Sequence, residues 1–327
     1  MKWGAALGTA AGLGLAVWLL SAYGAATVFA LLGRAGWGLA AVVLFHLVQI
    51  AASSAAWRAV SGPTPHRPGL PGFMVLRWVR EGVNNLLPVA QIGGEFVAAR
   101  LLRRRGVPLP LAMAGTVADL TMEMVTQIAF TLLGLGLLLW LVGGGTVAHA
   151  VEGGLLTAAA VAAAFVAAQN MGLANLLERG LVRLGGAIGW GGFGEVEGLH
   201  AAITGLYRAP RRLARAAWWH SVSWLLGGVE VCLALHVLGQ DVSLGAGLVI
   251  ESLGQALKAA GFAVPGALGV QEGGLIVVCA LFGLSPETAI ALSLAKRLRE
   301  VALGVPGLLL WQRLEAVPGQ PRLETVP

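Results

Sequence analysis

The 327 residues are 57% hydrophobic and only 12% charged, with a mean hydropathy of +0.78. Soluble domains carry about 25% charged residues, so half that content, set between long apolar runs, excludes a water-soluble globule and makes a bilayer the solvent. The net charge of +6 and pI near 10.1 do not point to nucleic acid, because no basic motif with interleaved aromatics accompanies them and cytoplasmic loops of membrane proteins concentrate arginine.

Lys2 precedes the first apolar run. With no A-x-A-like site ahead of a soluble domain, that run reads as an uncleaved helix rather than a signal peptide. Six segments reach the roughly 20 residues that a bilayer core demands: about 4–23, 38–57, 109–141, 153–170, 216–239 and 287–312. The third is long enough to tilt, or to bend near Gly134 and Gly136.

Two further apolar stretches, about 73–102 and 243–284, are interrupted midway. The interruptions are Pro88-Val-Ala-Gln-Ile-Gly93-Gly94 and Gly261-Phe-Ala-Val-Pro265-Gly266-Ala-Leu-Gly269. Each half is short for a full span, and broken backbone at membrane depth persists only where protein or water satisfies its freed N–H and C=O groups. Both stretches read as re-entrant helical hairpins, with two closely connected spans as the alternative.

Arginine placement sets the orientation. Arg58, Arg67, Arg77 and Arg80 precede the first break, Arg100, Arg103, Arg104 and Arg105 follow it, and more fill 171–215. The stretches 142–152 and 240–257 have no Lys or Arg. Cationic loops stay cytoplasmic, which predicts both termini inside, the first hairpin entering from the cytoplasm and the second from the far side. Trp37, Trp57, Trp140, Trp218, Trp219 and Trp311 at helix ends read as interfacial belts. Val196, Leu199, Ile203 and Leu206 recur at helical steps, predicting a short amphipathic helix on the membrane surface within the loop 171–215. Cys232 and Cys279 lie in apolar segments and read as small core residues. One transmembrane domain thus covers 1–315, with a disordered tail at 316–327.

A shift of 177 residues places Pro88 on Pro265, Glu95 on Glu272, Gly106 on Gly283 and Glu123 on Glu300. It also sets Thr116 on Ser293 and Asp119 on Lys296, the one marked reversal of charge. The halves are about 38–141 and 216–312, and the orientation makes them antiparallel. The predicted fold is therefore an all-α integral membrane protein of about six transmembrane helices plus two re-entrant broken-helix hairpins, arranged as an inverted repeat. Many transporters share that plan.

Charges at the bilayer centre cost about 2.5–3.5 kcal/mol each on insertion scales, so they face a cavity or pair. Here they fall at helical spacing. Arg77, Arg80, Glu81 and Asn84 share one face, with Asn85 beside them, and Glu95 opens the second arm. Asp119 and Glu123 follow on the next span. In the second half Glu251, Gln255 and Lys258 form a stripe, Glu272 follows the break, and Lys296, Arg297 and Glu300 line the last span beside Arg299. His46, Gln49 and Ser53 mark one face of the second span; His220, Ser223 and Glu230 mark its repeat partner. These residues predict a polar, wet cavity within an apolar shell. Internal pairs such as Arg80 with Glu81 or Asp119, and Lys296 with Glu300, are the structural alternative, and snorkelling to the headgroups is the alternative for Arg77 and Arg80. No nucleophile triad, metal cluster or cofactor motif accompanies the charges. Gly93-Gly94 and Gly273-Gly274 lack the strand–loop–helix context of a phosphate loop and read as close backbone approaches.

The run Arg77-Trp-Val-Arg-Glu-Gly-Val-Asn-Asn-Leu-Leu-Pro-Val-Ala-Gln-Ile-Gly-Gly-Glu95, followed by Ala-Arg100-Leu-Leu and Asp119-Leu-Thr-Met-Glu123, resembles the hopanoid biosynthesis-associated membrane proteins of the HpnL group. That group is a branch of the family sharing the transmembrane, flippase-like region of lysylphosphatidylglycerol synthase. The run Ala-Val-Pro265-Gly-Ala-Leu-Gly269-Val-Gln-Glu272-Gly-Gly is similar to the family's second broken-helix motif. The resemblance implies a lipid translocator of the bacterial inner membrane, with hopanoid or phospholipid as cargo, no cofactor, and hopanoid-biosynthesis proteins as partners. Synthase activity is not expected, because no aminoacyltransferase domain follows the last span. Two other readings stay open: a docking subunit of a lipid-biosynthetic complex and a membrane-embedded lipid-modifying transferase.

Overall fold

A computed structural model describes residues 25–64, 66–87, 93–142, 199–260 and 269–316. The expected spans at 4–23 and 153–170, the prolines Pro88 and Pro265, the stretch 171–198 and the tail from 317 fall outside them.

Among the described residues there are ten helices and no strand. They are α1 (Ala25–Ala35), α2 (Gly38–Val60), α3 (Leu70–Leu86), α4 (Gly93–Arg104), α5 (Leu109–Val142), α6 (Leu199–Tyr207), α7 (Pro210–Val237), α8 (Leu244–Ala260), α9 (Val270–Ala280) and α10 (Pro286–Ala316). Proline opens α7 and α10 and takes the second position of α3, where its missing N–H costs nothing. Gly106 (φ +91°) and Gly283 (φ +72°) follow α4 and α9 in the left-handed region that glycine adopts without strain. The two glycines are 177 residues apart, and each follows the shorter arm of an interrupted stretch.

Three helices, α2, α5 and α7, are long and apolar enough to cross a membrane. The last expected span, α10, has the length at 31 residues, but Lys296, Arg297, Arg299 and Glu300 interrupt its apolar character. α5 is one unbroken helix of 34 residues. Its Gly134 marks a close approach rather than a bend, since any side chain there would run into Ser252 of α8. The two interrupted stretches each form a pair of arms, α3 with α4 and α8 with α9. Arms of 17, 12, 17 and 11 residues fall short of the roughly 20 needed for a full span.

Side-chain neighbours give the directions. Gly38 lies against Val237, His46 against Glu230 and Ser53 against Ser223, so α2 and α7 run antiparallel along their most extensive contact. α3 runs antiparallel along α10, with Trp78 at Leu303 and Gly307 and Gly82 at Gly304. α5 also lies antiparallel along α8, with Gln127 at Gln255 and Leu141 at Gly245. The short α1 packs on α10 and the short α6 on α5.

The packing is layered along the helices. One apolar cluster gathers Ala56, Trp57, Phe73, Leu76, Phe96, Ala114 and Ala216; the other gathers Val42, Leu135, Val231, Leu235, Ile250, Leu275 and Ile290. α2, α5 and α7 each contribute one end to one cluster and the opposite end to the other, while their middles carry the polar stripes. α10 shows the membrane logic most plainly. It exposes Leu298, Val301, Val305 and Leu309 and buries Ser293, Lys296 and Arg299, the reverse of a water-soluble amphipathic helix.

Two surface expectations change. Trp37, Trp140 and Trp218 are exposed, but Trp57 is fully buried, edge-on to Phe73 with ring centroids 5.0 Å apart. The amphipathic helix forms at 199–207, yet its Ile203 and Leu206 are buried against the protein and its Tyr207 hydroxyl donates to Thr121 at 2.8 Å. That apolar face is already occupied.

The α3–α10 crossing gives a direct test. A Cβ on Gly82 would sit 2.9 Å from the carbonyl oxygen of Gly304, whereas one on Gly136 would meet nothing within 4 Å. Gly82→Ala is expected to destabilise by about 1–3 kcal/mol through overpacking. Gly136→Ala should be neutral or stabilising by up to about 1 kcal/mol through helix propensity. Thermal unfolding of both variants in detergent compares them.

Candidate functional site

Helical spacing puts Arg77 and Arg80 on one face of α3, turned toward α4 and α5. Arg80 uses its whole guanidinium: Nε donates to Glu95 at 2.8 Å, Nη1 to Asp119 at 2.5 Å and Nη2 to Glu123 at 3.0 Å. It also lies 5.6 Å from the centre of the Trp57 ring. Arg77 donates through Nε to Glu81 at 2.8 Å and grips both oxygens of Glu123, at 3.0 and 2.5 Å. Both arginines are buried, so they are ion-paired within the protein rather than snorkelling. Arg80 bonds to Asp119 but not to Glu81, which belongs to Arg77 and His46.

The end of α3 and the start of α4 are tied together. Asn84 donates to Glu95 at 3.0 Å and accepts the Gly94 N–H at 2.7 Å. A Cβ on Gly94 would collide with the Arg80 carbonyl oxygen, so the glycine serves a close backbone approach.

The polar groups of α7 to α10 are paired as well. Lys296 of α10 bonds to Glu251 of α8, whereas Asp119, 177 residues earlier, takes its cation from α3. Lys258 donates to Glu300 at 2.6 Å, so the expected Lys296–Glu300 pair is not formed. Glu272 accepts from Arg297 at 2.7 Å, from Ser293 at 3.0 Å and from the Gly269 N–H at 2.7 Å, which caps α9. Glu230 joins the halves by accepting from Gln49 of α2 and Arg299 of α10, and His46 Nδ1 lies 2.9 Å from it. His220 of α7 reaches Asp119 of α5 at 2.9 Å.

A cavity of about 270 Å³ opens among these groups. The first hairpin and α5 supply Arg77, Arg80, Glu81, Asn84, Asn85, Glu95 and Glu123; α8 and α10 supply Lys258, Arg299 and Glu300. His46, Gln49, Ser53, His220 and Ser223 come from α2 and α7, with Leu120, Met124 and Trp224 as apolar wall. Asp119, Glu230, Glu251, Glu272, Lys296 and Arg297 do not line this cavity. Each holds a partner behind its wall, and Lys296 borders a small neighbouring void with Lys258, Arg299 and Glu300. Two lining residues with hydrogen-bonding side chains, Gln127 and Trp224, fall outside the expected set, although each lies one turn beyond an expected polar residue (Glu123 and His220).

Charge balance constrains the site. Glu81, Glu95, Asp119, Glu123, Glu230, Glu251, Glu272 and Glu300 meet Arg77, Arg80, Lys258, Lys296, Arg297 and Arg299. Carboxylates outnumber these cations by two, and two histidines, His46 and His220, lie against Glu81, Glu230 and Asp119. Asp119, Glu123 and His220 bring ligand atoms within 4.8 Å of one another. Both carboxylates are already held by guanidinium groups, whose charge opposes a metal cation there.

The chain's sequence matches the family described as the lysylphosphatidylglycerol synthase TM region over residues 5–307. No curated protein and no solved structure matches it. Nearly the whole described fold lies inside that match, from α1 through the charged middle of α10, so the chain belongs to the lysylphosphatidylglycerol synthase transmembrane-region family.

Proposed function

We propose that the chain is a lipid flippase of the bacterial inner membrane, with both termini cytoplasmic, and that it acts without catalysing a reaction. The observation that carries this reading is the cavity of about 270 Å³ lined by Arg77, Arg80, Glu123, Lys258 and Glu300 between two apolar layers. A headgroup crossing about 30 Å of hydrocarbon needs such a shelter while its tails stay in lipid. Guanidinium and ammonium groups suit a phosphate, and carboxylates and amides suit hydroxyls or amines. Hopanoid or a phospholipid is the proposed cargo.

The inverted repeat belongs to the same proposal. It is supported by the order of short helix, long helix, hairpin and long helix in both halves, and by the antiparallel course of α2 and α7. The two carboxylates in excess of Lys and Arg make a proton the simplest coupling ion.

Vesicles carrying the full-length protein and a fluorescent phospholipid test this. The protein is expected to expose inner-leaflet label to a membrane-impermeant quencher, and a labelled hopanoid tests the second cargo. Glu123→Gln weakens its hold on Arg77 and Arg80. Losing a buried charged partner costs about 2–5 kcal/mol, so flipping should slow at least about tenfold while the protein still purifies folded. If no label of either lipid moves and no lipid copurifies, the reading fails. A docking subunit then becomes the better account, and deletion of 171–198 should abolish complex formation.

A further inference from the structure

We propose that a second cavity, built from the ends of α2, α3 and α7, binds a phosphate-bearing anion. It measures about 360 Å³, inside the range of about 300–1,000 Å³ typical of small-molecule sites. Its wall carries four arginines, Arg58, Arg67, Arg212 and Arg215, together with Trp219, and no carboxylate. The central cavity lines its charges with both signs. This one has a single sign.

Four guanidiniums around one space repel one another unless solvent or an anion offsets them. Cytoplasmic arginines obeying the positive-inside tendency need only face water, and here the arrangement is tighter. Arg67 donates through Nη1 to the Gly62 carbonyl at 2.5 Å, and its Nε is buried with no hydrogen-bond partner. Arg212 Nη1 closes over the same glycine, 2.7 Å from where a Cβ would stand. The Arg67 guanidinium lies in the loop between α2 and α3, and burial together with the charges of Arg58 and Arg212 pushes its basicity down. A bound anion would reverse that.

The backbone adds to the pull. Arg212 and Arg215 lie in the first two turns of α7 and Leu70 is the first residue of α3. Two helix N-termini, each favourable to negative charge, therefore flank the cavity. Fork-shaped guanidinium donors match phosphate oxygens in pairs. Trp218 and Trp219 are exposed beside it, the position of interfacial tryptophan, so the phosphate of a membrane lipid and a soluble phosphate could both reach the site. The inference stands apart from the flippase reading, since none of its residues lines the central cavity.

Native mass spectrometry of the full-length protein, purified in detergent with equal amounts of phosphatidylglycerol and phosphatidylcholine, reads the site. Inorganic pyrophosphate is titrated in a parallel arm. The wild type is expected to retain one more phosphatidylglycerol than Arg67→Gln/Arg212→Gln, whose affinity should fall at least about tenfold. Arg34→Gln, at an exposed position outside both cavities, should bind as the wild type does. Displacement of that lipid by pyrophosphate, or pyrophosphate bound in its place, identifies a soluble phosphate as the ligand; retention against pyrophosphate identifies the lipid. Arg58→Gln/Arg215→Gln, at two exposed positions, repeats the test with less risk to folding. If folded forms of both double variants bind lipid and pyrophosphate as the wild type does, the site does not exist.

Discussion

Arg80→Ala is expected to abolish lipid movement and to lower stability by about 3–5 kcal/mol, the cost of stripping one partner from a buried ion pair. The side chain is 3% exposed and bonds to three carboxylates on two helices. Its neighbours are not equally dependent on it. Glu123 keeps Arg77, and Asp119 keeps His220 with Arg77 at 3.6 Å. Glu95 keeps only the Asn84 amide at 3.0 Å, so most of the penalty falls there. Arg80→Ala/Glu95→Gln should therefore recover stability in a detergent melt without recovering transport, because the hairpin arms no longer share a charge beside the cavity. Arg80→Lys should fail as well, since an ammonium cannot address three carboxylates in one plane. An Arg80→Ala protein that melts like the wild type would show that the cluster does not hold the hairpin to α5.

Much of this cluster was legible in the sequence, and the reason is local. Arg77, Arg80, Glu81 and Asn84 fall on one helical face at fixed steps. Partners were not legible. His46 and Glu230 are 184 residues apart and Lys296 and Glu251 are 45 apart, and periodicity names a face without naming the helix opposite. The same limit explains Trp57. Its place near the end of an apolar helix suits an interfacial belt, but the fold packs α3 over it, with Phe73 perpendicular to its ring and Arg80 over the ring. Periodicity likewise marks one face of α6 as apolar without naming its neighbour, which is α5 rather than lipid. The family match secures a membrane protein of a lipid-related family; the narrower resemblance to hopanoid-associated members stays within the proposed cargo.

The reversed pair Asp119/Lys296 leads to the second large effect. Lys296→Met should cost about 3–5 kcal/mol, because Glu251 remains buried without its cation, 3% exposed and bonded otherwise to Gln255 at 2.7 Å. The double variant Lys296→Met/Glu251→Met should regain most of that loss, since apolar replacement of a complete buried pair is often neutral or better. Neither residue lines the central cavity, so the double variant should regain lipid movement too. Glu123 is the contrast. Its carboxylate is 19% exposed and borders the cavity, and no compensating change at Arg77 is expected to restore flipping. Parallel melts and vesicle assays on these variants separate the two roles. Recovery of both properties in the Lys296/Glu251 double variant makes that pair a brace that fixes α8 against α10. Recovery of stability alone would move the working site into the second half, and the asymmetry between Asp119 and Lys296 would then belong to transport itself.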